Sequence, residues 1–335
     1  MAPLKLPYGS RISVLSLAIC GLTAASSLHD GPHDSTLLAI MDGIYRMDYA
    51  RVEKTARTAL AGSANAALYF SGLAAINAFS DVGDTSALRR AEDGWSRILA
   101  TEPSGNNSDS TSPLYRGLSG LQLSYVASLR GQSLRTGRLA WSARSELRQA
   151  PTFAEAEAAL SLFDYYRQKL LEKISFLPFV NPNPGRSLRN LRTAAENSRY
   201  LRDVLRASAF WIHFDRGEMD SALTITDGFL LRYPENRLAR QMRGDALFRM
   251  GRLSEARSAY ETLLREYASL QDSCRSCLPI GFACATGNLA RIYAGLGLKP
   301  LADEYLRKWK SLEAGKVGPW LPGSLKRDLS KLSKK

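Results

Sequence analysis

The chain has 335 residues, of which 45% are hydrophobic and 23% charged, and it carries a formal net charge of +13. These proportions are those of an ordinary folded protein and exclude a chain that is disordered throughout. The length allows two ordinary domains, or one elongated array in which each unit buries surface only against its neighbours.

The N-terminus has the pattern of an export signal. A positive start carrying Lys5 and Arg11 leads into an apolar run that ends at Leu22, and small residues follow. The run is shorter than the roughly 20 residues that span a bilayer, so it predicts a signal peptide, residues 1–26, that is cleaved on export. A lipoprotein alternative stays open, because the four residues ending at Cys20 resemble a lipobox. Both alternatives place the protein in the periplasm or cell envelope.

The rest of the chain alternates helical stretches with short breaks at Gly, Pro and Asn. Ala is frequent, and Val, Ile and Thr never cluster as strands require. We therefore predict an all-α fold of about 13 to 14 helices, paired as antiparallel hairpins. The predicted helices cover residues 34–47, 50–62, 64–80, 85–101, 113–131, 133–149, 152–173, 184–198, 200–216, 219–233, 236–250, 253–268, 279–295 and 299–313.

A 34-residue repeat is visible in the C-terminal half. Gly217 and Ala222 are followed 34 residues later by Gly251 and Ala256. Gly at a helix end adopts the left-handed conformation at little cost, and a small residue where two helices cross lets them approach closely. A third copy is displaced by an insertion near 271–283. The other repeat positions are Pro234, Gly244, Tyr260, Ala290, Gly297 and Ala302.

By these positions residues 201–313 resemble tetratricopeptide repeats, and residues 34–200 resemble the degenerate front half of exported bacterial proteins of that superfamily. The resemblance implies a right-handed superhelical solenoid of helical hairpins whose concave face holds a peptide or a partner domain. Arg240 and Arg243 depart from the pattern, because they stand where the repeat has large apolar residues. Partner-binding positions therefore cannot be carried over from the family.

The C-terminal tail, residues 314–335, is basic. From Lys310 to Lys335 there are seven cations and two acids. Such an end is commonly solvated and frayed. The functional alternative is attraction to an anionic membrane or cell-wall surface. We do not expect nucleic acid as a partner, since an exported chain rarely meets it.

Three cysteines lie in or just beyond the insertion, Cys274, Cys277 and Cys284. An odd number in an oxidising compartment predicts one disulfide and one leftover thiol, with the pairing left open. Cys274 and Cys277 have redox-motif spacing, but no haem-attachment His follows them and no fourth zinc ligand lies nearby.

Aromatic residues suggest one candidate groove for an apolar peptide or lipid chain. Its members are Phe163, Tyr165, Tyr166 and Trp211, and several cations flank them. The alternative is that these side chains fill the core between hairpins. We expect the neighbouring His213 to be a packed or hydrogen-bonded core residue rather than a ligand or base.

The sequence contains no recognisable catalytic set. It has three histidines and lacks a nucleophile elbow, a phosphate loop, a dinucleotide fingerprint and a zinc-protease motif. We therefore expect a scaffold that holds a protein or peptide partner, with no enzyme activity, cofactor, metal or small-molecule substrate. Two alternatives stay open: recruitment to a membrane or wall by the basic tail, and an enzyme whose site is assembled from distant helices.

Overall fold

A computed structural model describes residues 33–60, 62–101, 112–150, 153–171, 184–197, 202–271 and 277–333. In these ranges the chain forms fifteen α-helices and one short 3-10 helix, Gly318–Trp320, and no strand. The α-helices are α1 His33–Tyr45, α2 Tyr49–Ala59, α3 Ala64–Val82, α4 Thr85–Ala100, α5 Ser112–Leu129, α6 Ser133–Leu147, α7 Ala154–Leu171, α8 Pro184–Asn197, α9 Arg202–Arg216, α10 Met219–Arg232, α11 Arg237–Arg249, α12 Leu253–Gln271, α13 Ile280–Gly295, α14 Lys299–Glu313 and α15 Gly323–Leu332.

The all-α prediction is confirmed. The first fourteen helices lie where the sequence predicts them, and their ends agree within three residues. The predicted export signal and the cysteine Cys274 lie outside the described residues, so the structure does not test them.

Helices that follow one another in the chain pack against each other. This holds for α1 with α2, α5 with α6, α7 with α8, and for each successive pair from α10 to α14. The arrangement is that of a helical repeat-like array, in which short connections make consecutive helices antiparallel neighbours.

Five connections between helices share one turn geometry. In each turn one residue has a positive φ, from 62° to 81°, and the N–H of the next residue donates to the carbonyl oxygen five residues earlier at 2.9–3.0 Å. This is the Schellman arrangement, in which a left-handed residue ends a helix. The predicted left-handed conformation at Gly251 is confirmed, and the equivalent turns of the N-terminal half were not predicted. The five residues are Met47, Gly131, Gly217, Gly251 and Gly297.

The described residues form two compact units. In the unit of residues 33–75 and 89–212, the fully buried Trp95 packs against α3, where a Cβ on Gly72 would lie 2.5 Å from the indole nitrogen. The missing side chain at Gly72 thus makes room for the largest side chain of α4. Helix α5 is buried from Leu114 to Ala127 except at one position, so it forms the centre of this unit.

The other unit combines residues 76–88 with residues 213–333. Arg237 makes a two-point ion pair with Asp81, which is fully buried. The Leu278 N–H donates to the Gly83 carbonyl at 3.2 Å, and Phe79 packs edge-on against Trp320 at 5.0 Å. An array with contacts between neighbouring repeats alone would not join positions so distant in sequence.

The C-terminal tail corrects a prediction. The expected solvated end is wrong, because α15 packs against α13 and buries Leu325 and Leu329. These leucines join one apolar cluster with Trp309. A Cβ on Gly287 would lie 2.9 Å from both Leu329 and Trp309, so this glycine of α13 makes room for the tail. The tail is basic but folded.

Candidate functional site

The structure places the four predicted groove aromatics in different environments. Tyr165 and Trp211 are buried in the core, whereas Phe163 and Tyr166 keep part of their surface. Tyr165 and Trp211 therefore fill the core, which was the alternative to a groove. Phe163 packs edge-on against Trp141 with ring centroids 6.3 Å apart. Trp141 was not among the predicted site residues.

Helix α6 presents an unusually exposed apolar surface. The helix buries only Ala143 and Leu147, while Leu134 is 90% exposed and Trp141 is 61% exposed. Exposed apolar side chains that form one patch mark interaction sites, whereas single ones are common on any protein surface. Leu134 and Trp141 are seven residues apart, so they lie on the same side of the helix.

Gly137 lies between these two side chains on the same side of α6. A Cβ placed there would meet nothing within 4 Å, and the backbone is not in the left-handed region. A glycine inside an exposed helix costs about 1 kcal/mol relative to alanine. Within the described part of the chain no neighbour needs its small size. We call the surface formed by Leu134, Gly137, Arg138 and Trp141 the Trp141 face.

The indole of Trp141 contacts the side chains of Phe163 and Arg144. The Arg144 guanidinium lies 5.5 Å from the ring centroids of both Trp141 and Phe163, in cation–π geometry. Arg144 is also 3.8 Å from the Asp164 carboxylate. These contacts reduce the freedom of the exposed ring, so less conformational entropy is lost when it binds.

The Trp141 face is cationic. Between residues 130 and 150 the sequence has five arginines and one glutamate, and that glutamate, Glu146, is bound by Arg116 at 3.2 Å. Arg138 and Arg148 have no carboxylate within ion-pair distance among the residues that the structure describes. Burial, and secondarily the charge of Arg148, lower the pKa of Arg144. The face therefore has unbalanced positive charge that an anionic partner can neutralise.

Sequence reasoning missed this face for a specific reason. The aromatic residues of α7 formed the denser cluster, whereas α6 carries a single aromatic residue among arginines. The available signal was the spacing of Leu134, Gly137 and Trp141, which places two large apolar residues and a glycine on one side of a helix otherwise rich in Arg and Ser.

Two of the predicted repeat positions, Gly244 and Tyr260, meet where α11 packs against α12. A Cβ on Gly244 would be 2.7 Å from the ring of Tyr260, so the glycine of α11 makes room for the tyrosine of α12. The Tyr260 hydroxyl donates to Asp245 at 2.6 Å and accepts from Asn288 of α13 at 3.0 Å. Burial raises the pKa of Asp245 to about 6. Tyr260 thus links two successive hairpins through a buried polar network.

Arg240 and Arg243, which depart from the predicted repeat pattern, both have partners on neighbouring helices. Arg243 donates to Asp227 at 2.6 Å, and Arg240 forms an ion pair with Glu266. These ion pairs join α11 to α10 and to α12.

His213 is buried and lies 2.6 Å from Glu218, whose second carboxylate oxygen accepts from Arg216. This matches the expected hydrogen-bonded core histidine. Cys284 is a buried free thiol, and burial raises its pKa to about 12. The predicted disulfide stays a prediction, because Cys274 lies outside the described residues.

Across the described ranges, no helix combines the length and apolar character needed to cross a membrane. The same ranges contain no group of three or more His, Cys, Asp or Glu side chains placed to hold a metal ion. No family model matches the chain, and no curated protein matches it either.

Proposed function

We propose that the protein is an exported helical-repeat scaffold of the cell envelope that binds a partner protein through the Trp141 face. The observation that carries this proposal is the pair of exposed side chains, Leu134 and Trp141, on a helix that buries only two residues. Trp and Arg are the residue types that most often dominate the binding energy of protein interfaces.

We also propose that the hairpins are of the tetratricopeptide kind and wind into a right-handed superhelix. The 34-residue step between Gly217 and Gly251, and the common geometry of the five turns, support this proposal. The proposed contact is on α6 rather than in the predicted aromatic groove, because Tyr165 and Trp211 are buried.

Site-specific crosslinking tests partner binding. A photo-crosslinking amino acid at Ser142, which is exposed beside Trp141, is expected to capture a polypeptide in envelope extracts. The substitution Trp141→Ala should reduce that product at least about tenfold, since truncating a central interface tryptophan commonly costs 2 kcal/mol or more. Leu231→Ala, which truncates an 88% exposed leucine on α10, should leave it unchanged. A product that survives Trp141→Ala, or no product from Ser142, contradicts the proposal.

The insertion supports a second, structural proposal, a disulfide between Cys274 and Cys277. With Cys284 free, these two remain for the predicted pair. For a chain lacking residues 1–26, a thiol reagent should find no reactive thiol in the native protein, because Cys284 is buried. It should find one thiol after denaturation without reductant, and three after reduction. Three thiols without reductant would contradict the disulfide.

A further inference from the structure

Gly137 is the feature of α6 that the chain itself does not explain. The position is exposed, its surroundings are open, and its backbone is ordinary, so alanine would fit and would favour the helix. A glycine between two protruding apolar side chains forms a notch with Leu134 on one side and Trp141 on the other. The notch lets a second backbone approach α6 more closely than any side chain would allow.

This geometry favours a protein surface over a lipid surface. A fluid bilayer interface adapts to protruding side chains and gains nothing from a missing Cβ, whereas a second helix approaches α6 more closely where the crossing point lacks a side chain. The contacts of Trp141 with Phe163 and Arg144 point the same way, because a ring that is partly preorganised suits a shaped partner.

The charge of the face defines the chemistry of that partner. Arg138 lies next to the notch, and Arg148 extends the cationic surface beyond the C-terminal end of α6. No Asp or Glu is among the exposed residues of α6. A basic partner helix would meet like charge at Arg138 and Arg148, while an acidic one would be steered to the face and held in register.

We propose that the partner contributes an acidic α-helix, which crosses α6 at Gly137 and packs an apolar side chain between Leu134 and Trp141. The inference rests on the proposed function, since it specifies the partner of the same face. In this proposal the two helices cross at Gly137. Leu134 and Trp141 make the apolar contact, and the arginines attract the carboxylates of the partner.

The chain supplies a matched pair of variants for the test. Gly228 is also an exposed glycine inside a helix, α10, and a Cβ there would also meet nothing within 4 Å. Gly137→Ala and Gly228→Ala should both leave the fold intact and raise the Tm slightly, because alanine favours a helix more than glycine does. Loss of binding in the first variant alone is therefore not a folding defect.

The experiment uses the full chain with the photo-crosslinker at Ser142, and the captured peptide is identified by mass spectrometry. We expect a segment with net negative charge and helical spacing of its apolar residues. The crosslinked yield should fall at least about tenfold for Gly137→Ala, remain unchanged for Gly228→Ala, and fall when salt is raised from about 0.05 M to about 0.5 M.

The outcomes distinguish failure of the acidic-helix proposal from failure of partner binding through the Trp141 face. A Trp141-dependent product from a neutral or basic segment, or one that Gly137→Ala does not weaken, overturns the acidic helix and leaves partner binding standing. Lipid adducts in place of a polypeptide overturn both and identify a membrane surface. The absence of any Trp141-dependent product overturns the proposed function itself.

Discussion

Asp245 is a buried acid whose ionisation bears on stability. Its carboxyl lies in the buried network of Tyr260 and Asn288, and burial raises its pKa from 3.8 to about 6, although the hydrogen bond from Tyr260 and the charge of Arg291 oppose this rise. The folded state therefore binds the proton more tightly than the unfolded state does. The contribution of this group to stability declines as the pH rises from about 4 to about 6.

The substitution Asp245→Asn should remove that decline. An amide oxygen can still accept the bond from the Tyr260 hydroxyl, and it carries no charge to desolvate. We expect the variant to be more stable than the wild type at pH 7, by at most ~3 kcal/mol, and the difference to disappear near pH 4. Urea unfolding at pH 4, 5, 6 and 7 measures it. Asp42→Asn, at an exposed acid, is the control, and a wild-type advantage that does not change with pH would contradict the assignment.

At the scale of the elements, the turn is the best-defined unit of the array. Four of the five Schellman turns use Gly at the left-handed position, and the turn between α1 and α2 uses Met47, with a φ of 62°. A residue with a Cβ is strained in this conformation by roughly 1–2 kcal/mol. The turn between α1 and α2 therefore has the geometry of the glycine turns although its sequence lacks the glycine.

Replacing a turn glycine with alanine, and replacing Met47 with glycine, tests this interpretation. Gly251→Ala should destabilise the protein by about 1 kcal/mol, because it introduces the strain without a compensating contact. Met47→Gly should stabilise it by less, since glycine gains more entropy in the unfolded chain. Thermal unfolding of both variants gives the comparison, with Gly62→Ala, at an exposed glycine outside the helices, as control. Destabilisation by both substitutions would show that packing of the Met47 side chain outweighs turn strain.

Local rules account for what the sequence could predict. Helical spacing, Pro and Gly breaks and the 34-residue step depend on neighbouring residues, and they placed fourteen helices correctly. The pair of Asp81 and Arg237 depends on residues 156 positions apart, and no local pattern marks it. The Trp141 face was missed because exposure is a property of the packed fold, which composition does not reveal.

At the scale of the whole molecule, the basic tail combines a charged surface with an apolar side that belongs to the core. Leu325 and Leu329 of α15 are buried, while Arg327 and Lys331 are exposed one helical turn apart. Removal of residues 314–335 therefore removes core packing as well as charge. The two leucines alone contribute about 3–6 kcal/mol of burial free energy as an upper bound.

Variants that change the charge of the tail and leave its packing intact test whether the tail attaches the protein to an anionic surface. The truncated chain should unfold at a clearly lower Tm, whereas Arg327→Gln with Lys331→Gln should keep the wild-type Tm, because both side chains are exposed. Lys326 is left unchanged, since its ammonium donates to the Gly318 carbonyl at 2.6 Å. If the protein binds its partner through α6, the double variant should retain the Ser142 crosslink. A different result would be that the wild type co-sediments with phosphatidylserine vesicles and the double variant does not. That result would show that the tail attaches the protein to an anionic membrane.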